Sequence, residues 1–450
     1  MEAVAVREGG TWSELCSAHR NWGKEKWNPL YSSRSVQSMQ AAMASDPGPS
    51  RSKQQVIRIT YLLSALDISC LFMQFAVTPY LAKNLGLDTV GFGYLQTVFG
   101  ILQLVGGPIF GRFSDQYGAR AALTLSFLSA SVYYLILAFT TSIPFLFLSR
   151  LPSAFMQGLP GAQMIITDLT TAEERAGSLG KLGLCFGVGI IIGSSLGGYI
   201  ATTFGLYTPS FIALAASLVC CVIVLIYIPV QTKKTQGKPA AEQSKPKSTS
   251  VFSVGELLRL MNYPGVMPVF IVKVLSAFPI GVFMLMFPII SVDFFGLNAA
   301  TAGYLMSYFG IMQLVVQGFM VGRLTSWFSD ETLLILSMAV SMGVGLGLVV
   351  MTSVLHFCII ALPMIFFLCV SGIITDSILT KAVPPSETGA MLGICASIQP
   401  LTRTIGPTIG GYLYKHYGVP AFGLFNIIVS LLLLMYLVNN RNSRKVEKTT

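Results

Sequence analysis

Long apolar segments alternate with short polar ones between Val56 and Val438. Each apolar segment has about 20 residues, which is the length that an α-helix needs to cross the hydrocarbon core of a bilayer. The pattern therefore predicts an all-α, polytopic membrane protein with twelve transmembrane helices. The predicted spans cover residues 57–81, 91–111, 120–140, 143–167, 179–201, 206–229, 264–291, 302–323, 332–352, 355–380, 388–413 and 418–438.

Polar segments divide the chain into two halves and two tails. Residues 57–230 and 264–438 each hold six predicted spans, and residues 231–263, rich in Lys, Ser, Gln and Pro, are the predicted flexible linker. Residues 1–56 are predicted to be a disordered tail and residues 439–450 a second tail. Most of the 29 Lys and Arg lie in the tails, the linker and the loops on their side. Because basic residues stay on the cytosolic side, we expect both termini and the linker there.

Composition narrows the chemistry further. Only 11% of the residues are charged, less than half of the share in soluble domains, which is about 25%. The net charge of +10 follows from the basic cytosolic side and does not predict a nucleic-acid partner. The eight Cys and three His form no metal-ligand spacing, and no phosphate-binding loop is present. We therefore expect no metal, no cofactor and no enzymatic activity.

Two sequence blocks occur twice. Residues 93–105 match residues 303–315 at nine of thirteen positions, at an offset of 210. Residues 179–205 match residues 392–418 in their glycine pattern, at an offset of 213. An internal duplication of six helices is typical of secondary transporters, whose halves enclose a binding site near the middle of the membrane.

Small residues at intervals of four mark two of the predicted spans. They let helix backbones approach closely in a membrane. They fit either static packing or a smooth surface on which helices slide during gating. The residues are Gly189, Gly193 and Gly197 in the fifth span and Gly406, Pro407 and Gly410 in the eleventh.

The stretch GRFSDQYGAR at 111–120 resembles the signature between helices 2 and 3 of the major facilitator superfamily. Residues 65–81 and 166–198 resemble the drug–proton antiporters of that superfamily. The resemblance implies two pseudo-symmetric six-helix halves whose first, fourth, seventh and tenth helices line a central cavity. It also implies a cytosolic gate, for which the candidate residues are Gly111, Arg112, Asp115, Gly118, Arg120, Asp168, Glu174 and Arg175.

Five charged residues lie well inside predicted spans, away from the ends of those spans. A charge at mid-membrane costs at least about 2.5–3.5 kcal/mol, so it needs a partner, a water-filled cavity or a task. The five are Asp67, Arg150, Lys273, Asp376 and Arg403. The first four stand on the helices that line the cavity of the family, and Gln74, Gln157 and Gln163 join them as candidate binding residues. Arg403 stands apart, and we expect it to brace the eleventh helix.

Asp67 is the first candidate for the transport chemistry. A carboxylate there can hold either a proton or a cationic solute, which is the simplest basis for exchanging one for the other. The alternative is an ion pair between Asp67 and Arg150 or Lys273. Lys273 is also placed to pair with Asp376, although Asp376 is near enough to Lys381 to face the cytosolic mouth instead.

These residues predict a secondary transporter that exchanges protons for small organic cations or amphipathic drug-like solutes by alternating access. The alternatives are a proton-independent uniporter, an organic anion carrier, or a membrane scaffold that no longer transports. The expected partners are a small organic substrate, protons and the lipid bilayer. The expected location is the plasma membrane, with an intracellular vesicle membrane as the alternative.

Overall fold

The computed structural model describes residues 53–230, 232, 259–384 and 388–447, and every regular element within them is helical. Residues 1–52 of the predicted N-terminal tail and most of the linker lie outside these residues. Residues 53–56, which the sequence pattern predicts to belong to the tail, are helical and begin α1. The helices are α1 (Lys53–Asn84), α2 (Thr89–Ala138), α3 (Ile143–Leu148), α4 (Gly158–Leu169), α5 (Ala172–Phe204), α6 (Thr208–Tyr227), α7 (Val266–Asp293), α8 (Ala299–Val315), α9 (Val321–Trp327), α10 (Asp330–Val349), α11 (Val354–Lys381), α12 (Thr388–Tyr417) and α13 (Pro420–Glu447).

Nine helices of the described part are long and apolar enough to cross a membrane. The longest of them, α2, has 50 residues and contains both the second and the third predicted span. Its two parts meet at Gly118, whose φ of 86° is left-handed and interrupts the helix. The turn expected over residues 112–119 is therefore wrong in extent, because the helix continues up to Gly118.

The fourth predicted span is not one helix, contrary to the sequence prediction. It consists of α3, a 3₁₀ turn over Leu151–Phe155, and α4. Pro152 begins the 3₁₀ turn, and Pro160 lies in the first turn of α4. Proline has no N–H to donate and clashes with the preceding turn, so it favours a break of this kind. A shorter irregularity, a π turn over Val316–Met320, separates α8 from α9.

The helices run alternately between two sides of the molecule. We call the side where α1 begins and α6 ends the linker side, because Thr232 lies there. The opposite side holds the connections Leu85–Asp88, Phe139–Ser142, Gly205–Tyr207, Phe294–Asn298, Val350–Ser353 and Gly418–Val419.

The two halves meet along two seams, α5 against α8 and α2 against α12. Ser195 and Ser307 share a hydrogen bond of 2.6 Å between their hydroxyl oxygens in the first seam. Thr97 and Thr408 share one of 2.8 Å in the second. The offsets of 210 and 213 convert one pair into the other, so the seams are copies of one arrangement. This confirms the two pseudo-symmetric halves predicted from the repeat.

Paired glycines let three helices meet at each seam. A Cβ on Gly197 would overlap Met73 of α1, and a Cβ on Gly198 would overlap the carbonyl of Ala299 of α8. Their counterparts behave alike, because Gly410 faces α7 and Gly411 faces α2. Gly189 and Gly193 also pack on α1, and Gly406 packs on α7, while Pro407 lends its carbonyl to the contact with Gly93. Close packing is thus the observed use of these residues, and sliding during gating stays a prediction.

Candidate functional site

Asp67 lies near the middle of α1, where it is partly buried and has no hydrogen bond or ion pair with any described residue. The predicted alternative of an ion pair with Arg150 or Lys273 is therefore not what the structure has. Its carboxylate instead lies against Gly158, the first residue of α4, where a Cβ would overlap Oδ2. A helix N-terminus carries a partial positive charge that stabilises a nearby carboxylate.

Arg150 lies where the fourth span is broken, between α3 and the 3₁₀ turn. Its side chain is 3% exposed, and its Nη1 donates to the hydroxyl of Tyr133. The guanidinium carbon also lies 5.3 Å from the centre of the Tyr133 ring, in a cation–π contact. Nε and Nη2 have no hydrogen-bond acceptor in the structure. Arg150 is therefore a buried cation whose partner is a phenol rather than a carboxylate.

A row of polar side chains crosses from the break in the fourth span to the second half. Gln157 directly precedes Gly158, and its Nε2 donates to the carbonyl of Gln103 in α2 at 3.4 Å. Nη1 of Arg403, in the middle of α12, lies 3.5 Å from Oε1 of Gln103. Arg403 thus contacts the other half across the seam, beyond the bracing of α12 that the sequence predicted.

Two further glutamines named from the sequence lie in different surroundings. Gln74 is buried, and its Oε1 accepts from the hydroxyl of Ser210 at 3.1 Å, while its Nε2 has no acceptor. Gln163 is exposed and lines a cavity of about 220 Å³. That cavity lies between α4, α5 and α8 and also involves Phe186, Gln313 and Gln317. The structure gives no contact between Gln163 and Asp67 among the described residues, and the role of Gln163 in binding stays a prediction.

Lys273 and Asp376 form an ion pair in the second half, with 2.9 Å between Nζ and Oδ1. The Lys273 ammonium also donates to the hydroxyl of Thr375 at 3.2 Å. Both residues lie within two or so helical turns of the linker side, and 39% of the Asp376 side chain is exposed. The pair thus occupies the linker-side part of the second half. The predicted pairing of Lys273 with Asp376 is what the structure has, and a cytosolic position of Asp376 stays a prediction.

Sequence reasoning missed a repeat that explains the position of Asp376. Residues 165–168 and 373–376 have the same sequence, Ile-Ile-Thr-Asp. The counterpart of Asp376 in the first half is therefore Asp168, near the linker-side end of α4. Asp168 accepts a hydrogen bond of 2.5 Å from the hydroxyl of Thr232.

The predicted gate residues lie on the linker side but do not form one described cluster. Nη2 of Arg120 donates to the carbonyl of Leu225 at the end of α6, at 2.5 Å. Thr171 caps α5 by accepting from the backbone N–H of Glu174 at 3.4 Å, as the capping-box pattern predicts. Arg112 and Asp115 are exposed, Gly111 is partly buried, and the side chain of Arg175 is outside the described residues. Their role as a gate stays a prediction.

The opposite side carries a cluster of ion pairs between the halves, which the sequence did not reveal. Lys83 lies 2.8 Å from Asp293, and Asp88 lies 3.0 Å from Lys415. Thr89 adds a hydrogen bond of 3.1 Å to Asp293. Asp88 also caps α2 by accepting from the N–H of Gly91, and this bond, with the Lys415 ammonium, lowers the pKa of the Asp88 carboxyl. These contacts tie the halves together at the opposite side.

Helices of membrane-spanning length, two seams related by an internal repeat and charges within the spans define a polytopic membrane transporter. The sequence profile of the Major Facilitator Superfamily matches residues 59–380 and 269–450. The chain belongs to the Major Facilitator Superfamily and has the fold of its transporters.

Individual relatives agree with this assignment. The chain is 53% identical to the mouse protein Solute carrier family 22 member 18 over 404 residues, which are 88% of this chain and 98% of that protein. It is 26% identical to the class H tetracycline resistance protein of Pasteurella multocida over 392 residues, or 85% of this chain and 94% of that protein. The crystal structure of the nucleoside transporter NupG superposes with a TM-score of 0.67 at 14% identity, covering 86% of this chain and 98% of NupG. These relatives are transporters rather than enzymes.

Proposed function

We propose that this protein exchanges protons for small organic cations or amphipathic solutes by alternating access. The observation that carries the proposal is Asp67, a carboxyl near the middle of α1 that has no ion-pair partner among the described residues. A membrane-embedded acid without a structural partner is expensive to keep, so a task is the simpler explanation for it. Proton binding and cation binding at one carboxylate exclude each other, which couples the two flows in opposite directions.

The position of Arg150 on the broken fourth span supports the same proposal. Its buried guanidinium lies on the broken span that also places Gly158 against Asp67. Discontinuous helices with a free N-terminus near the middle of the membrane are a recurring way to build ion and substrate sites in transporters. The broken fourth span therefore favours a binding site over a passive packing element.

The contacts of the opposite side support the alternating-access part of the proposal. Two ion pairs between the halves hold that side together. In this proposal, Asp67 is reached from the linker side while these contacts are closed. Transport then requires these contacts to open and the linker side to close. The linker side is the cytosolic side in this proposal, and the plasma membrane is the proposed location.

The relatives add a direction to the proposal. The class H tetracycline resistance protein is named for resistance to an organic drug. An amphipathic organic solute is therefore a reasonable substrate class for this chain, and export from the cytosol a reasonable direction.

An organic anion carrier is the second candidate. Once Lys273 and Asp376 are paired, Asp67, Arg150 and Arg403 leave a net charge of +1 in the membrane. An excess of cations attracts anions, and this observation favours the second candidate over a scaffold that has lost transport.

The deciding experiment uses purified protein in liposomes with an imposed pH gradient. We expect organic cations to accumulate against an opposing proton gradient. In Asp67→Asn this accumulation should fall by about tenfold or more, because the amide of asparagine neither takes up nor releases a proton at the pH of the experiment. Asp330→Asn is the matched control, because it removes an acid from the exposed pair with Lys381 and should leave uptake unchanged.

Three outcomes separate the candidates. Uptake of cations that is unaffected by collapsing the gradient contradicts proton exchange and favours a uniporter. Uptake of anions alone supports the second candidate. Folded protein that moves no solute of either charge points to the scaffold.

A further inference from the structure

Arg403 has no role in the exchange described above, yet it is the one charged residue of the described structure that stands in a seam between the halves near mid-membrane. It lies near the middle of α12, at the contact of α12 with α2. Gly100 of α2 packs directly on its backbone carbonyl, so the two helices are in close contact at this point. Arg403 as a residue is only partly buried.

The guanidinium of Arg403 lacks a counter-charge. Its single polar contact within the described part of the chain is Oε1 of Gln103, at 3.5 Å. A neutral amide at that distance compensates little of the cost of a charge at this depth. Lys273 shows the contrast, because its ammonium lies 2.9 Å from a carboxylate.

The pseudo-symmetry shows that the fold does not need a charge at this place. The offset of 213 makes Ile190 of α5 the counterpart of Arg403, and the offset of 210 makes Gln313 the counterpart of Gln103. In that seam the side chain of Ile190 packs against Gly310, whereas at Gly100 the contact is made by the backbone carbonyl of Arg403. An apolar side chain therefore builds an equivalent seam, so packing alone does not explain Arg403.

The surroundings of Arg403 connect it to Asp67. Gln103 contacts Arg403 with its side chain and accepts from Gln157 with its backbone carbonyl. Gln157 is followed by Gly158, which touches the Asp67 carboxylate. An acid and a guanidinium therefore stand at the two ends of a short polar row that crosses between the halves.

We propose that Arg403 binds the carboxylate, or a similar anionic group, of a solute whose cationic group binds Asp67. The substrate class that fits both ends is an amphoteric organic molecule carrying an amine and an acid. This inference rests on the proposed function, since it assigns the second end of the same site. Guanidinium and carboxylate groups match in a two-pronged geometry, which makes the contact selective as well as strong.

The test compares three related probes: an arylalkyl amine bearing a carboxylate, the methyl ester of that compound, and an arylalkyl carboxylate without the amine. Binding is measured on purified protein without a pH gradient, and uptake is measured in liposomes with one. We expect the wild type to prefer the first probe over its ester. Arg403→Ile should weaken the first probe by about 10- to 100-fold and the ester by less than about twofold, because only the first loses a charge-assisted bond.

The substitution is chosen to fold, because isoleucine is the residue that occupies the equivalent position in the other seam. Arg403→Lys keeps the charge without the planar fork, so it should lose part of the preference. Arg58→Gln is the matched control, since it removes an exposed arginine from the start of α1.

Each outcome decides one question. Equal binding of the acid and the ester by the wild type, or equal loss of both in Arg403→Ile, overturns the anion site. Gradient-driven uptake of the ester with no discrimination keeps proton exchange and overturns the role of Arg403. If Arg403→Ile loses the preference for the acid over its ester while the pH gradient has no effect on uptake, that result supports the anion site and contradicts proton exchange. If the wild type binds none of the three probes, both the anion site at Arg403 and the proposed transport of organic cations are contradicted.

Discussion

The two halves of this molecule share a fold but treat their charges differently. In the second half, Lys273 and Asp376 neutralise each other at 2.9 Å. In the first half, Asp67 has no ionic partner in the described structure, and Arg150 contacts a tyrosine. The same architecture therefore holds one satisfied pair near the linker side and unpaired charges deeper in the other half.

This difference distinguishes charges that have an ion-pair partner in the fold from charges that have none and can bind a solute or a proton. A paired charge contributes mainly through its partner, and removing one member leaves the other uncompensated. An unpaired charge contributes little to folding, so its removal should affect function rather than stability. The comparison therefore favours the first half, together with Arg403 at the seam, as the place of the proposed transport chemistry.

The largest effect is expected from Gly158→Ala in the first half. A Cβ at this position would overlap Oδ2 of Asp67, so the carboxylate must move away from the start of α4. We expect gradient-driven uptake to fall at least about tenfold, because a catalytic or binding group misplaced by about 1 Å commonly loses more than that. Gly107→Ala is the control, since no atom lies near its Cβ position, and it should transport normally. Normal uptake by Gly158→Ala would mean that the position of Asp67 does not matter.

A smaller effect, on stability, is expected from Lys273→Gln in the second half. It leaves the Asp376 carboxylate without its counter-charge, at a cost that we place at about 1–2 kcal/mol because the pair is partly exposed. The double variant with Asp376→Asn should recover part of that loss. Thermal unfolding of purified protein measures both, with Asp67→Asn as the comparison that should not lower the melting temperature. If Asp67→Asn destabilises as much as Lys273→Gln, the distinction between paired and unpaired charges is lost.

The smallest effect is expected from Asp88→Asn, which makes the first half resemble the second. Its counterpart, Asn298, caps α8 by accepting from the N–H of Thr301, so the cap is retained and only the pair with Lys415 is lost. The pair is exposed, and we expect a loss of at most about 1 kcal/mol.

This last prediction carries a pH signature. The N–H of Gly91 and the Lys415 ammonium hold the pKa of the Asp88 carboxyl below its ordinary value of 3.8. Its contribution is therefore complete above that value and is lost as the pH falls below it. The stability difference between wild type and Asp88→Asn should be present at pH 7 and should shrink as the pH falls below 3.8. A difference that does not shrink below that pH would show that the cap, not the pair, was changed.

The sequence was sufficient for whatever depends on one helix or on the repeat. Apolar length predicts the spans, the repeat predicts the two halves, and charge at mid-span identifies Asp67. The sequence did not predict contacts that depend on a break in a helix or on the packing of the two halves at a seam. The partner of Arg150 is set by the broken fourth span, and the contact of Arg403 with Gln103 joins residues 300 positions apart. No local pattern encodes either contact.

The ion pair between Lys83 and Asp293 has an evolutionary consequence. The two residues are 210 positions apart, as are Gly93 and Gly303, so they are two copies of one ancestral position in contact with each other. In a symmetric dimer of identical six-helix units, that position would lie on the two-fold axis and face itself. Like charges would then oppose each other at the place where opposite charges now hold the halves together. Opposite charges at these two positions require copies that have diverged, so the two halves are no longer equivalent at this contact.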